Sequence, residues 1–304
     1  MYKKRVVFWA ACAGMLLFGI CLITLGSVAA DLREKLQIDE ITAGTLFSIL
    51  PLGILTGSLL FGPIVDKYGY RILLPASCLF MFFGFEGIAY APSLSLLKIC
   101  IFFFGIGGGA VNGSTNALIS DISDKDKGAN LSLLGAFFGI GALGMPLISG
   151  ILKDRFSFEI LLSAVGILTF TTGVVFLLIK FPPPKQIQGF PLKQGGKMIK
   201  DNVLLIIAFF LFFQSGFEGI INNWTTTYLI DQQSLQQNNA LFGLSSFVAG
   251  MTIMRLLNGS ILRSVPVKKI LIPSFIMILL GLTLLKCSNS FGLSVTGLVL
   301  LGAG

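Results

Sequence analysis

Residues Gly62–Arg71 read GPIVDKYGYR, a short charged turn between two apolar runs. Asp66, Lys67 and Arg71 lie beside segments long enough to cross a bilayer, so we expect them in a connection at a membrane surface. Gly62 would let neighbouring helices approach closely, Gly69 would permit the turn, and Asp66 could form an ion pair with Arg71. The stretch is therefore predicted to be a cytoplasmic hinge.

The composition places the whole chain in a bilayer. Of 304 residues 54% are hydrophobic, only 12% are charged, and none is His, whereas an ordinary soluble domain carries about 25% charge. Because no alternating ten-residue pattern appears, helices are the plausible spanning structure. We predict an all-α membrane protein with nine spans and the start of a tenth near Phe291. The predicted spans cover residues 6–30, 43–65, 71–91, 94–120, 129–152, 157–181, 201–229, 239–262 and 267–286.

The basic residues predict the orientation of the chain. Lys and Arg concentrate in connections on the side of the N-terminus, so the N-terminus is predicted to be cytoplasmic in a multi-pass protein of the cell (inner) membrane. This topology explains the net charge of +8 better than nucleic-acid binding does. The first run lacks a small-residue cleavage site, so we expect it to be retained. The five cysteines show no CxxC spacing, so neither a disulfide framework nor a metal site is indicated, and no cofactor is expected.

An internal repeat appears when the chain is shifted against itself by 197 residues. Two halves built alike would explain it, and chance similarity between apolar helices is the alternative. The prediction divides the chain into an N-terminal six-helix half at 1–181, a basic linker at 182–200 and an incomplete C-terminal half at 201–304. A truncated twelve-helix protein is expected, with a natural ten-span protein as the other interpretation. The matching pairs are Gly62 with Gly259, Asp66 with Arg263, Arg71 with Lys268 and Gly107 with Gly304.

GPIVDKYGYR resembles the loop between helices 2 and 3 of the major facilitator superfamily, which implies two six-helix halves that rock about a central site. In that family the residue matching Asp66 helps to hold the inside-closed state. Residues 105–121 (GIGGGAVNGSTNALISD), 130–146 (NLSLLGAFFGIGALGMP) and 213–229 (FQSGFEGIINNWTTTYL) are similar to helices 4, 5 and 7 of the fucose and glucose permease group. The resemblance implies sugar transport coupled to a cation.

Glu218 is the most informative polar residue because no Lys or Arg lies within a helical turn of it in the seventh span. A carboxylate in hydrocarbon is costly, so Glu218 should face a cavity as a proton carrier or sugar-hydroxyl acceptor. Gln214 and Asn222 share its helical face, and Trp224 and Tyr228 could pack on a pyranose ring. The alternatives are an interhelical hydrogen bond for Glu218 and an interfacial aromatic belt for Trp224 and Tyr228.

Two amides of the fourth span, Asn112 and Asn116, complete the predicted midplane site. They follow Gly105 and Gly109 on one helical stripe. Asn112 stands where the proton-coupled fucose permeases are acidic, so a coupling ion would depend on Glu218 or on the shallower Glu86. The alternative for Glu86 is a partly solvated residue near the outer surface.

These observations favour a secondary transporter that moves a monosaccharide, with H⁺ or Na⁺ as coupling ion and the lipid bilayer as its surroundings. An exporter of drugs or a carrier of other small organic solutes is the alternative within the same fold. A non-transporting membrane sensor or scaffold is the second alternative. An enzyme is weakly supported because the chain has no His and no nucleophile–base pair. We expect a monomer.

Overall fold

The computed structural model describes residues 2–123, 127–183, 201–259, 265–288 and 290–304. Within these ranges the chain forms eleven α-helices and no strand, as the composition predicts. The helices are α1 (Lys4–Ser27), α2 (Ala29–Leu36), α3 (Glu40–Tyr68), α4 (Tyr70–Tyr90), α5 (Leu94–Ile122), α6 (Lys127–Leu152), α7 (Phe158–Leu178), α8 (Asn202–Asp231), α9 (Gln237–Gly259), α10 (Val267–Cys287) and α11 (Phe291–Ala303).

Nine of the described helices are long and apolar enough to cross a membrane, and α11 is a shorter apolar helix. The predicted nine spans and start of a tenth are therefore confirmed, while the cytoplasmic position of the N-terminus stays a prediction. The first span is the most buried, with 67% of its most apolar window inside the protein. It packs against α5, α6 and α8, so α1 lies at the centre of the helix bundle.

The predicted hinge is a single residue. Helix α3 continues through the charged stretch to Tyr68, and only Gly69, with φ of 75°, interrupts it before α4. A Cβ on Gly62 would meet no atom of another described helix within 4 Å, so the expectation that Gly62 permits a close helix approach is wrong. Nor does Arg71 pair with Asp66: its Nε donates to the carbonyl of Leu177 at 3.2 Å.

The 197-residue offset recurs in the helix boundaries. Adding 197 to the first residues of α3, α4 and α5, at positions 40, 70 and 94, gives 237, 267 and 291, where α9, α10 and α11 begin. The contacts follow the same rule, because α5 packs on α3 and α4 as α11 packs on α9 and α10. The predicted match at Arg263 and most of the predicted linker, residues 184–200, lie outside the described residues.

Glycines explain why the offset has no gaps. A Cβ on Gly105 would lie 2.9 Å from the Cα of Gly53, so α3 and α5 cross with their backbones in contact. The residues 197 positions later repeat this crossing: a Cβ on Gly302 would lie 2.9 Å from the backbone nitrogen of Met251, beside Gly250. Small residues allow such approaches where lipid supplies no hydrophobic driving force. Any insertion between these glycines would lose the contact.

The short helix α2 was not predicted. It is polar and follows α1 directly, and Gln37 in the left-handed conformation, with φ of 51°, ends it. Asp39 then caps α3 by accepting a hydrogen bond from the backbone nitrogen of Thr42 at 3.1 Å. Helix α2 contacts α8, so the loop predicted after the first span is an ordered element at one end of the bundle.

Candidate substrate-binding cavity

A cavity of about 970 Å³ lies between α3 and α8, with Leu22 of α1 at its side. This volume is in the range of small-molecule sites, which are concave and mostly apolar with a few polar groups. The polar lining residues are Ser48, Ser58, Ser215, Glu218, Asn222 and Asn223; the rest are glycine or apolar, among them Phe47, Phe212 and Trp224.

The end of the cavity nearest α2 is limited by a close crossing of α1 and α8. A Cβ on Gly26 would lie 2.9 Å from the carbonyl carbon of Asn222, so no side chain larger than hydrogen fits there. The hydroxyl of Thr226 also donates to the carbonyl oxygen of Gly26 at 2.7 Å. By contrast, the first half of α8 is exposed, including Phe209 and Phe213. The polar part of the cavity therefore lies next to the close backbone contact between α1 and α8.

Asn222 and Asn223 provide the clearest sign of a ligand. Their exposed fractions are 3% and 8%, and both residues line the cavity. The Oδ1 atom of each accepts no hydrogen bond from the described residues, although the Nδ2 atom of Asn223 donates to the carbonyl oxygen of Gly219 at 2.8 Å. A buried acceptor without a donor costs about 1–3 kcal/mol. A donor from water or from a bound solute would remove this cost.

The sequence prediction included Asn222 and missed Asn223, although the Asn-Asn pair at the end of a long apolar run was a visible signal. Adjacent helical residues do not share a face, so the 3.6-residue spacing selected only one of the two. The turn of α8 at the α1 crossing brings both amides to the cavity wall.

Of the two aromatic residues in the predicted site, one lines the cavity and the other does not. Trp224 lines the cavity, and its ring lies edge-on to Phe47 with centroids 5.2 Å apart. Tyr228 does not line it: the hydroxyl donates to the carbonyl oxygen of Leu285 on α10 at 3.4 Å. Gln214 is exposed and also lies outside the lining. Of these three residues, only Trp224 is placed to touch a solute in the cavity.

Glu218 lines the cavity but is not a lone acid. The Nη2 atom of Arg255, on α9, lies 3.3 Å from both carboxylate oxygens of Glu218. The Glu218 side chain is 17% exposed and that of Arg255 is 45% exposed. The guanidinium carbon of Arg255 also lies 5.1 Å from the ring centroid of Phe138 on α6. The sequence around Glu218 did not reveal this ion pair, because the partner comes from a neighbouring helix.

The remaining predicted site residues lie outside the cavity lining. Asn116 donates from Nδ2 to the backbone oxygen of Asn112 at 2.9 Å and to its Oδ1 at 3.0 Å, so the two amides are bonded to each other along α5. Glu86 accepts a hydrogen bond from Ser163 at 3.0 Å, between α4 and α7. All three residues are half-buried, and of their printed bonds only that of Glu86 joins two helices.

Known proteins resemble this chain over between 42% and 96% of its length. The "Uncharacterized transporter y4wD" of Sinorhizobium fredii is 25% identical over 300 residues, which cover 96% of this chain and 77% of that protein. The "D-xylose transporter" of Levilactobacillus brevis is 26% identical over 128 residues, 42% of this chain and 28% of that protein. Further relatives are named as transporters of 4-hydroxybenzoate and nitrate and as a multidrug efflux pump.

A solved structure shares the fold. The xylose transporter XylE from E. coli, in a partially occluded inward-open conformation, aligns with a TM-score of 0.72 at 13% identity, over 99% of this chain and 83% of that one. The sequence profile described as Major Facilitator Superfamily matches residues 7–304. Together with the helical architecture, this match shows that the chain belongs to the Major Facilitator Superfamily.

Proposed function

We propose that the chain is a secondary active transporter that moves a monosaccharide across the membrane by alternating access, coupled to a proton or a sodium ion. The observation that supports this best is the pair of buried amide oxygens of Asn222 and Asn223, which accept no hydrogen bond from the described part of the chain and lie on the wall of a cavity of about 970 Å³. A sugar presents several hydroxyl donors, and such donors would satisfy both oxygens.

The aromatic wall suits the other face of a sugar. Trp224 and Phe47 form an edge-on pair beside the amides. An aromatic ring can pack on the apolar face of a pyranose while neighbouring polar groups bind its hydroxyls. The name of the Levilactobacillus brevis relative and the fold shared with XylE agree with this substrate class.

Glu218 is proposed as the coupling residue because it lies one helical turn from Asn222 and is bonded to Arg255 on another helix. Protonation of the carboxylate would weaken the ion pair between α8 and α9. The Glu218 carboxylate would therefore take part both in solute binding and in the movement of these helices. The two halves would rock about the cavity, and the stretch Gly62–Arg71, with Asp66, Lys67 and Gly69, would take part in gating.

The test is uptake by the purified full chain in liposomes. Labelled hexoses, deoxyhexoses and pentoses are supplied with an imposed pH gradient, with a sodium gradient, or with neither. We expect accumulation of at least one sugar that depends on one of the gradients. Facilitated exchange without a gradient response would refute coupling, and binding and uptake of no sugar would refute the substrate class.

An organic acid is a second candidate substrate. The half-exposed guanidinium of Arg255 lies near a mostly apolar cavity, and a carboxylate could compete with Glu218 for it. Adding benzoate and 4-hydroxybenzoate to the uptake panel separates the two candidates. Uptake of these acids that is lost in Arg255→Gln, with no sugar uptake, would favour this second candidate.

A further inference from the structure

We propose that α2 is an interhelical latch, which holds one end of the molecule closed by bridging to α8 and α9. We name this end the α2 end. The proposal goes beyond the transported solute, because it concerns which end of the cavity is open. Alternating access requires contacts at each end that form in one state and break in the other.

The first set of contacts joins α2 to the helices after the linker. The carboxylate of Asp31 accepts a hydrogen bond from Nε2 of Gln237, at the start of α9, with a length of 2.7 Å. The Nη1 atom of Arg33 lies 2.7 Å from Oδ2 of Asp231, at the end of α8. A third bridge near by links Asn238 to Asp154 at 3.0 Å. Three polar bridges therefore connect residues before the linker with residues after it.

The second set of contacts fixes α2 to its own side. Nζ of Lys35 lies 2.9 Å from Oε1 of Glu159 on α7 and donates to the carbonyl oxygen of Ala89 at 2.7 Å. Lys153 pairs with Asp31 at 3.0 Å. If α8 and α9 move away, these bonds keep α2 in place. The two sets therefore give α2 a fixed side and a releasable side.

A small chamber lies under the releasable contacts. It has a volume of about 150 Å³, enough for a few water molecules. Its lining includes Asp31, Lys153 and Ser149 on one side and Leu241 of α9 on the other. Water in this space can replace the broken polar contacts, so separation leaves no buried charge unsolvated. The bridging side chains Arg33 and Asp231 are 25% and 31% exposed, which is typical of pairs of modest strength that exchange readily.

The test measures how readily a thiol in the chamber reacts. Ser149 is 7% exposed on α6 and lines the chamber together with Leu241 of α9, so separation of α6 and α9 would expose it. The full chain carries Ser149→Cys together with Cys100→Ser and Cys287→Ser, since Cys12, Cys21 and Cys78 are buried. A charged maleimide is added to the purified protein in detergent, and the labelling rate is followed by mass spectrometry.

We expect Arg33→Gln to raise the labelling rate about threefold, in line with the strength of a partly exposed ion pair. Asp231→Asn should do the same. The exchanged pair Arg33→Asp with Asp231→Arg should return the rate to that of the parent. Glu34→Gln, on an exposed residue of the same helix, is the matched control and should leave the rate unchanged.

Unchanged labelling in both Arg33→Gln and Asp231→Asn would overturn the proposal. So would an equal increase in Glu34→Gln, or an exchanged pair that labels as fast as the single variants. Thermal unfolding of each variant shows whether it is folded, and Asp231→Asn serves if Arg33→Gln is not. Because no solute is used, failure of the latch and failure of sugar transport are read independently.

Discussion

Glu218 and Glu86 are the two acids that the sequence offered for ion coupling, and their surroundings now distinguish them. Glu218 lines the cavity and pairs with Arg255, whereas Glu86 accepts a hydrogen bond from Ser163 away from it. We expect Glu218→Gln to abolish gradient-driven accumulation and to leave solute exchange intact, because a neutral amide cannot release a proton. Glu86→Gln should accumulate normally. Accumulation by Glu218→Gln at the parental level would refute the coupling role.

A second prediction for a single residue concerns the amide oxygen of Asn222 and its effect on solute affinity. Loss of one hydrogen bond to a solute costs about 1–1.5 kcal/mol, and we therefore expect Asn222→Ala to weaken solute affinity about tenfold. The control is Asn116→Ala, because Asn116 bonds to Asn112 outside the cavity lining. Equilibrium binding of the best solute from the uptake panel measures both. An equal loss in the two variants would indicate a general disturbance of the fold.

Two glycines of α3 provide a matched pair at the scale of the helix. A Cβ on Gly53 would lie 2.9 Å from the Cα of Gly105, whereas one on Gly62 would meet no atom within 4 Å. We expect Gly53→Ala to lower the free energy of unfolding by about 1–3 kcal/mol through overpacking. Gly62→Ala should change it by less than about 1 kcal/mol, because the clash of the new methyl group with the ring of the next residue, Pro63, offsets the helix preference of alanine. Thermal unfolding in detergent gives the comparison, and a destabilisation by Gly62→Ala as large as that by Gly53→Ala would contradict the prediction.

The cap of α3 predicts a pH dependence at the same scale. The hydrogen bonds from Thr42 to Asp39 hold the pKa of that carboxyl below its usual value. A lowered pKa in the folded state means that the ionised cap stabilises the fold above about pH 4 and that this contribution is lost as the pH falls further. Asp39→Asn keeps a capping side chain that does not titrate. The difference in unfolding temperature between the parent and Asp39→Asn should change as the pH falls from 7 to 3. A difference that stays constant over this range would contradict the prediction.

The sequence predicted the elements better than the site, for physical reasons. A span needs about 20 apolar residues and nothing else, so each of the nine is visible locally. The offset of 197 was also visible, because glycine contacts forbid insertions. Helix α2 was not, since its eight residues are polar and their partners, such as Asp231 and Gln237, are distant in sequence. The Glu218–Arg255 pair could not be predicted because it joins two helices, whereas residue spacing relates positions on one helix.

At the scale of the whole molecule, locking the contacts at the α2 end should block transport without blocking solute binding. A thiol crosslinker with a cleavable centre can join Asp154→Cys to Asn238→Cys, whose parent side chains are bonded across the two groups of helices. We expect the crosslink to stop uptake and to leave solute binding measurable, because the closed end could no longer open. Cleavage should restore uptake.

The control for this crosslink joins Lys35→Cys to Glu159→Cys, a pair that lies within residues 1–181. Uptake should continue in that crosslinked protein. Continued uptake in the first crosslinked protein, at the rate of the control, would show that the α2 end does not have to open.

The shared register of the glycine crossings has an evolutionary consequence. Helices α3, α4 and α5 begin 197 residues before α9, α10 and α11, and glycines at equivalent positions form the helix crossings in both segments. This is the pattern expected of two segments that arose by duplication of one gene. A chimera that carries residues 237–304 in place of 40–107 would then keep the backbone crossings and exchange only the side chains around them. Assembly of such a chimera would show that the two segments are interchangeable, as segments with a common origin would be.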